Sequence, residues 1–252
     1  MKIGGTSLDP LFIWKKNYPL TEAIDFATSV AATLARLGSG AYVAHVGKRP
    51  TKLLELYERE GCPFSRKVRE ALSILDLDAL VHPCAEPPKR SRHIVEERLG
   101  RFEIPLLIDA NTDFSSSDSD AIVRYLFNEY GDGTVPLPLR LGALTNATSR
   151  VASLLRKPQT SKTMPSKEPE DLLELYSYEA SPYCRLVREV LTKLEISYIL
   201  HNVARGSAKR PAFIERTGKM QVPYLVDRPR SIEIVESRAI IRYLEGHFAA
   251  QA

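Results

Sequence analysis

Short apolar runs recur along the chain, and their spacing alternates between the patterns expected of β-strands and of α-helices. Leu53–Glu58 is a compact apolar run bounded by charged and turn residues, which favours a buried strand. Ser65–Leu75 follows with apolar residues three and four positions apart, as in an amphipathic helix. The same reasoning predicts strands at Leu80–Pro83, at Leu106–Asp109 and near Phe114, and helices at His93–Leu99 and Ser119–Tyr130.

The second half of the chain repeats the first. Blocks of similar sequence recur in one order at an offset of 119 residues, which becomes 118 after a single deletion. Such self-similarity indicates duplication of a structural unit. The matching blocks are Leu53–Tyr57 with Leu172–Tyr176, Val68–Glu70 with Val187–Glu189, Ile104–Asp109 with Val222–Asp227, and Ile122–Leu126 with Ile240–Leu244.

The repeat divides the chain into four parts. Residues 1–50 form an N-terminal extension with a helix at about 21–37, and residues 51–131 form the first unit. Residues 132–170 contain a second extra helix and a flexible linker rich in Lys, Ser, Thr and Pro, and residues 171–252 form the second unit. Each unit opens as strand–helix–strand and closes with a hairpin and a helix. This order predicts an α/β fold, with a four-stranded mixed sheet flanked by helices in each unit.

Composition excludes several classes of protein. Of the 252 residues, 44% are hydrophobic and 26% are charged, as in ordinary soluble globular proteins. The net charge of +4 is far from the concentrated basic surface that nucleic-acid binding requires. The longest apolar stretch, Phe26–Leu37, is too short and too polar to span a membrane, and no secretory signal is recognisable at the N-terminus. We therefore expect a cytoplasmic protein that binds neither nucleic acid nor membranes.

The cysteines point to reactivity rather than to disulfides. Cys62, Cys84 and Cys184 are too few for a disulfide framework and fit no zinc spacing, which favours a reducing compartment and no metal. Cys62 lies where a strand meets a helix, and the free N–H groups and dipole of the helix start favour a thiolate there. Ser65 stands where a second cysteine would complete Cys-x-x-Cys. In the second unit Ser181 replaces the first cysteine, so Cys62 and Ser181 are the candidate catalytic residues.

Two further pairs of motifs occupy matched positions in the units. Ile104–Pro105 and Val222–Pro223 open strands, where proline is ordinarily disfavoured. A cis bond would leave the backbone of the preceding residue free to pair with an extended ligand, although the pattern alone favours trans. Asp118–Ser119 and Glu236–Ser237 start helices, either as plain caps or as a site for the charged ends of an amino-acid ligand.

Charged side chains and histidines near the second strand of each unit have two interpretations. Lys209 and Arg210 precede a helix and could bind a ligand carboxylate, although solvated surface charge is the commoner meaning of such runs. His82 and His201 lie at the end of the second strand of each unit, and Cys84 comes two positions after His82. One histidine with one cysteine is a weak metal signal, and we interpret these residues as structural.

Taken together, these residues resemble the N-terminal domain of glutathione S-transferases, a glutaredoxin-like domain of the thioredoxin superfamily. Cys62-Pro63-Phe64-Ser65 followed by Arg66 is similar to cysteine-type transferases and glutaredoxins. Ser181-Pro182-Tyr183-Cys184-Arg185 is similar to serine-type transferases. The two X-Pro pairs match the cis-proline of the family, and the two acidic-Ser pairs match its γ-glutamyl grip. The large helical C-terminal domain of ordinary transferases has no counterpart here, which implies two tandem thioredoxin-like domains.

The resemblance implies glutathione as cosubstrate or ligand. We expect a glutathione-dependent thiol transferase or reductase that acts on disulfide or glutathionylated substrates through a monothiol cycle at Cys62. The implied glutathione-binding residues are Pro63, Phe64, Arg66, Ile104, Pro105, Asp118, Ser119, Tyr183, Arg185, Lys209, Arg210, Val222, Pro223, Glu236 and Ser237.

The sequence leaves three alternatives open. The first is glutathione conjugation driven by Ser181. The second is a non-enzymatic glutathione-binding module. The third is a homodimer that holds an iron–sulfur cluster through Cys62 and glutathione. Against the cluster, Pro63 stands where cluster-binding monothiol glutaredoxins usually have glycine.

Overall fold

The computed structural model describes residues 27, 29, 30, 38–140 and 163–250. The first unit consists of β1 (Leu54–Glu58), α1 (Pro63–Ile74), β2 (Ala79–Pro83), α2 (Arg92–Leu99), β3 (Leu106–Asp109), β4 (Phe114–Ser116) and α3 (Ser119–Tyr130), and is followed by the short helix α4 (Leu137–Arg140). The second unit consists of β5 (Leu173–Ser177), α5 (Pro182–Leu194), β6 (Tyr198–Asn202), α6 (Arg210–Thr217), β7 (Tyr224–Asp227), β8 (Ile232–Val235) and α7 (Ser237–Phe248). The predicted order of elements is confirmed in both units. Within the residues described, no helix combines the length and apolar character needed to cross a membrane.

The eight strands form one sheet in the order β4-β3-β1-β2-β6-β5-β7-β8. Each unit contributes four strands of mixed direction, as predicted, with its first two strands parallel and its third antiparallel to the first. The halves meet where β2 pairs antiparallel with β6, and Leu80 lies opposite Ile199 at the centre of this joint. Ile199 is the repeat equivalent of Leu80, so the joint has the self-complementary form of a two-fold dimer interface within a single chain.

Helices cover both faces of the joined sheet. Leu54 and Leu56 of β1 cluster with apolar residues of α1 and α3 on one face. Tyr57 of β1 clusters with Val95 of α2 on the other face, because successive strand side chains point to opposite sides. In the second unit Phe213 of α6 takes the place of Val95. The largest apolar cluster contains residues of both units, so the two units share one core.

Parts of the extension and of the linker are attached to the units. The backbone N–H of Ala44 donates to the carbonyl of Ile74 at 2.8 Å, and that of Met164 donates to Lys193, the repeat equivalent of Ile74, at 2.8 Å. Met164 and Lys167 of the predicted linker are therefore bound to the second unit, the latter through its N–H to the carbonyl of Phe248 at 2.8 Å. Ala27, Ser29 and Val30 are helical, whereas the rest of the predicted helix at 21–37, and residues 141–162 of the predicted second helix and linker, lie outside the described residues.

Leu56→Ala should lower the free energy of unfolding by about 2–5 kcal/mol, because it removes a fully buried side chain from a central strand and leaves a cavity. Leu53→Ala is the control. Leu53 is 40% exposed, so its loss should change stability by about 0.5 kcal/mol or less. Urea unfolding followed by circular dichroism measures both values. Equal losses in the two variants would contradict the packing described here.

Candidate functional site

Cys62 is the N-cap residue of α1 and is partly exposed. Its backbone is extended, and Pro63 occupies the first helical position, which proline favours. The backbone N–H of Cys62 donates to the carbonyl of Arg59 at 2.9 Å, which closes a turn between β1 and the helix. The side chain of Cys62 makes no capping hydrogen bond. The thiol therefore lies beside the N–H groups of a helix start and is not used to cap them.

Ser181 occupies the equivalent N-cap position of α5 but is 3% exposed. Its hydroxyl accepts a hydrogen bond from the backbone N–H of Cys184 at 3.3 Å and so caps the helix. The N-terminal extension reaches this helix start, because the hydroxyl of Ser29 donates to the carbonyl of Pro182 at 3.0 Å. The two equivalent sites thus differ. The Cys62 side chain is partly exposed to solvent, whereas the Ser181 side chain is buried and caps its helix.

No other thiol is positioned to act with Cys62. Ser65 is fully buried, and its hydroxyl accepts from the backbone N–H of Arg59 at 3.4 Å. Cys84 and Cys184 are fully buried, and burial raises the pKa of the Cys84 thiol to about 12. A thiol with so high a pKa stays protonated at neutral pH and is a poor nucleophile.

The peptide bonds Ile104–Pro105 and Val222–Pro223 are both cis, as the family resemblance implied and contrary to the trans form that the pattern alone favoured. The prolines are buried immediately before β3 and β7, whereas Ile104 and Val222 are partly exposed. A third cis bond, Glu86–Pro87, was not predicted.

The two acidic-Ser pairs use their carboxylates differently. Asp118 is exposed and caps α3, accepting from the backbone N–H groups of Asp120 at 2.9 Å and Ala121 at 3.3 Å. Glu236 is also exposed but makes no capping hydrogen bond, and its backbone has φ +74° and ψ 128°. Such a backbone is rarely adopted by a residue with a side chain and is often found at functional sites. Ser119 and Ser237 are buried directly behind these carboxylates.

Arg66 and Arg185, both predicted to bind glutathione, lie inside the protein. Each is 1% exposed. A terminal nitrogen of Arg66 lies 3.7 Å from the carboxylate of Glu179 in the other unit. Arg185 donates to the carbonyl of Ser29 at 2.5 Å. The other predicted ligand residues at the helix starts are accessible to solvent. Pro63 and Phe64 are partly exposed, and Tyr183 is 50% exposed.

Lys209 and Arg210 are also engaged in protein contacts. The Nζ of Lys209 donates to the carbonyl of Asp76 at 3.0 Å and pairs with the carboxylate of Asp78, both in the first unit. The Nε of Arg210 donates to the carbonyl of Val203 at 3.1 Å. Lys209 therefore joins the two units.

A buried ring of four charged side chains, which the sequence analysis missed, lies between the two sites. Arg69 and Arg188 alternate with Glu60 and Glu179, and none of the four is more than 3% exposed. The nearest N–O distances around the ring are 3.2 Å for Arg69–Glu60, 2.8 Å for Glu60–Arg188, 2.9 Å for Arg188–Glu179 and 2.9 Å for Glu179–Arg69. The sequence does contain an indication of this ring. Charged residues recur at equivalent positions of the amphipathic helices α1 and α5 and of the loops before them.

The ring holds its glutamates in the ionised form. Burial by itself would raise the pKa of Glu60, but Arg188 and Arg69 outweigh it and keep that pKa below its usual value. Glu179 behaves in the same way, with its pKa lowered by Arg188 and Arg69 against the effect of burial. Each carboxylate contacts both arginines of the ring, which is the pairing that a buried charge requires. Arg185 lies 3.4 Å from Glu60 and 3.9 Å from Glu179, and adds to this pairing.

Glu58 lies beside the ring but has fewer partners. It is fully buried, pairs with Arg69, and has one carboxylate oxygen without a hydrogen-bond partner among the described residues. Burial raises the pKa of Glu58 to about 7, and the attraction of Arg69, which also serves Glu60 and Glu179, offsets this only in part. The second unit has Ser177 at this position.

His82 and His201 have structural contacts at the joint, as interpreted from the sequence. Their rings lie 4.5 Å from Tyr57 and 4.6 Å from Tyr176, centroid to centroid. Their Nδ1 atoms contact the opposite unit, where Ser197 Oγ lies 2.9 Å from His82 and an Asp78 oxygen lies 2.8 Å from His201. Across the described ranges, no group of three or more His, Cys, Asp or Glu side chains is arranged to hold a metal ion.

Comparison with known families identifies the two units. Residues 56–134 and 175–252 each match the family model described as the glutathione S-transferase, N-terminal domain. The matches begin within β1 and β5 and together span more than half of the chain. The chain belongs to this family. Its two transferase N-terminal domains stand in tandem, which confirms the resemblance and the thioredoxin-like fold of each unit. No curated protein and no solved structure matches the chain significantly.

The two transferase domains should respond differently to loss of the helix-start carboxylate. Asp118→Ala should lower the free energy of unfolding by about 1 kcal/mol, because it removes the cap of α3. Glu236→Ala is the matched control and should cost much less, because Glu236 caps nothing. Thermal or urea unfolding of both variants measures the difference. A larger loss in Glu236→Ala would contradict the assignment of the cap.

Glu58→Gln should stabilise this transferase-domain protein at high pH. The folded-state pKa of about 7 lies above the ordinary value of 4.5, so the wild type loses stability as pH rises through this interval. The gain in Glu58→Gln over the wild type should therefore grow by about 2 kcal/mol between pH 5 and pH 8. Urea unfolding of both proteins at the two pH values tests this. A gain that does not grow with pH would refute it.

Proposed function

We propose that this tandem transferase-domain protein is a glutathione-dependent thiol transferase or reductase whose nucleophile is Cys62. The observation that carries the proposal is the contrast between the two helix starts. Cys62 is partly exposed and caps nothing, whereas Ser181 is 3% exposed and its hydroxyl caps α5. The only accessible nucleophile of the pair is therefore the one whose thiolate can attack a disulfide sulfur.

The proposed cycle uses one cysteine and two molecules derived from glutathione. The thiolate of Cys62 attacks the glutathione sulfur of a substrate R–S–SG, forming Cys62–S–SG while R–S⁻ leaves and takes a proton. The thiolate of a free glutathione then attacks the glutathione sulfur of Cys62–S–SG. This step releases oxidised glutathione and restores the Cys62 thiolate. The sum is RS–SG plus GSH giving RSH plus GSSG.

A second protein thiol takes no part in this cycle. Ser65 occupies the resolving position, and both Cys84 and Cys184 are fully buried. Release of the mixed disulfide therefore depends on external glutathione. A reducing compartment such as the cytoplasm supplies it and keeps its thiols reduced.

We assign glutathione in the first unit to the surface around the start of α1. The cis bond before β3 and the exposed carboxylate of Asp118 provide groups for the backbone and the γ-glutamyl end of the peptide. In the second unit Glu236 offers a carboxylate that is free of capping, which supports binding of glutathione there without chemistry. Arg66, Arg185, Lys209 and Arg210 keep their protein contacts in this proposal. The assigned ligand residues are Pro63, Phe64, Ile104, Pro105, Asp118 and Ser119 in the first unit, and Tyr183, Val222, Pro223, Glu236 and Ser237 in the second.

Cys62→Ser should lower the rate of glutathione-dependent reduction of a glutathionylated peptide by at least about 100-fold, because the attacking atom is lost. Calorimetry should still detect binding of reduced glutathione to this variant. Cys84→Ala is the matched control, since Cys84 is buried and its removal should leave turnover within about twofold of the wild type.

Two outcomes would contradict the proposal. Turnover by Cys62→Ser at the wild-type rate would exclude Cys62 as the nucleophile. Loss of glutathione conjugation to an electrophile in Ser181→Ala, with Cys62→Ser fully active, would assign the chemistry to Ser181 instead.

A further inference from the structure

The loop that carries Cys62 is held by arginines from both units. This loop, residues 59–62, connects β1 to α1. Arg69 of the first unit donates to its backbone, at 3.3 Å to the carbonyl of Arg59 and at 3.2 Å to the carbonyl of Glu60. Arg188 of the second unit donates to the carboxylate of Glu60, from Nε at 2.8 Å and from Nη2 at 3.3 Å. The carboxylate of Glu60, two positions before Cys62, is therefore held by the two-pronged guanidinium group of Arg188 from the other unit.

The equivalent loop of the second unit, residues 178–181, is held in the mirrored way. Arg188 donates to the carbonyls of Tyr178 and Glu179 at 3.4 Å each. Arg69 donates from Nε to the carboxylate of Glu179 at 2.9 Å. Each arginine thus fixes the backbone of its own loop and the side chain of the other. The second loop makes these contacts although it carries a buried serine instead of a cysteine.

We infer that Arg188 is a positioning residue for Cys62, so that the second unit completes the thiol site of the first. This inference rests on the proposed function of Cys62. A guanidinium fork holds a carboxylate in one orientation, which an ammonium group on a flexible stem does not. Glu60 is 1% exposed, and Arg188 is the second-unit residue that hydrogen-bonds its carboxylate, with Arg185 Nε 3.4 Å away as a further ion-pair partner. The fork thereby fixes the turn that places the thiol at the helix start.

The test is the rate at which iodoacetamide alkylates Cys62 in the full chain at neutral pH, read by mass spectrometry of the Cys62 peptide. Cys84 and Cys184 are fully buried and do not compete. Arg188→Met should lower this rate by about tenfold or more, because a displaced turn moves the sulfur away from the helix-start N–H groups that favour its nucleophilic form. Arg188→Lys should lower the alkylation rate to a similar extent, since lysine keeps the charge but lacks the two-pronged guanidinium group.

Glu195→Gln is the matched control at the joint. Glu195 is 4% exposed and accepts from the backbone N–H groups of Ala85 at 3.1 Å and Lys89 at 2.9 Å, so it also links the units. It contacts neither site loop, and its variant should alkylate within about twofold of the wild type. Turnover of a glutathionylated peptide should likewise be slower in Arg188→Met and Arg188→Lys than in Glu195→Gln. The loss should appear in kcat and not in KM for glutathione.

Arg188→Lys with the wild-type alkylation rate would overturn the inference, as would a loss in Glu195→Gln equal to that in Arg188→Met. If Arg188→Met does not fold, the double variant Glu60→Gln/Arg188→Met removes both charges of the pair and should still alkylate slowly. A folded double variant with the wild-type rate would equally overturn it. Alkylation needs no glutathione, so this test of Arg188 does not depend on the proposed activity. Full turnover in Cys62→Ser would refute the proposed function, whatever the alkylation rates are.

Discussion

The ring of Arg69, Glu60, Arg188 and Glu179 is the interaction on which the arrangement of this molecule depends. Removing four ionised side chains from water is costly, and only complete pairing recovers that cost. Loss of one member of such a network leaves a buried charge unpaired and typically destabilises a protein by about 3–5 kcal/mol. Replacement of the whole network by well-packed apolar residues can be neutral. The ring therefore fixes how the units fit together more than it adds stability, since displacement of one unit separates both pairs that cross the joint, Arg69–Glu179 and Arg188–Glu60.

Around this ring the molecule has the form of a dimer built within one chain. The antiparallel contact between β2 and β6 joins two four-stranded sheets edge to edge, and one apolar cluster continues through the joint. Pairing of this edge also satisfies backbone groups that an isolated unit would expose. Contacts recur on both sides of the pseudo-two-fold axis, as with His82 and His201 on the tyrosines of β1 and β5.

Departures from this symmetry are concentrated at the two helix starts and beside the ring. The pair Cys62 and Ser181 separates an accessible thiol from a buried hydroxyl. Asp118 caps its helix, but Glu236 leaves its carboxylate free and adopts a positive φ instead. Glu58 adds a carboxylate with a raised pKa beside the ring, where the second unit has Ser177. In the function proposed above, the first unit carries the chemistry, and the second binds glutathione and helps to position the thiol.

The sequence by itself determined the order of strands and helices, the duplication and the placement of Cys62 at a helix start. These features follow from the spacing of nearby apolar residues, from Pro63 and from matched blocks. Only the tertiary structure decided that the two sheets are one, that Ser181 is covered, and that Arg66 and Arg185 face inward. Those outcomes depend on partners far apart in the chain, such as Arg69 with Glu179 at a separation of 110 residues and Arg188 with Glu60 at 128. An arginine on an amphipathic helix has the same local pattern whether it meets solvent, a ligand or a buried carboxylate, because that choice is made by the surface that packs against it.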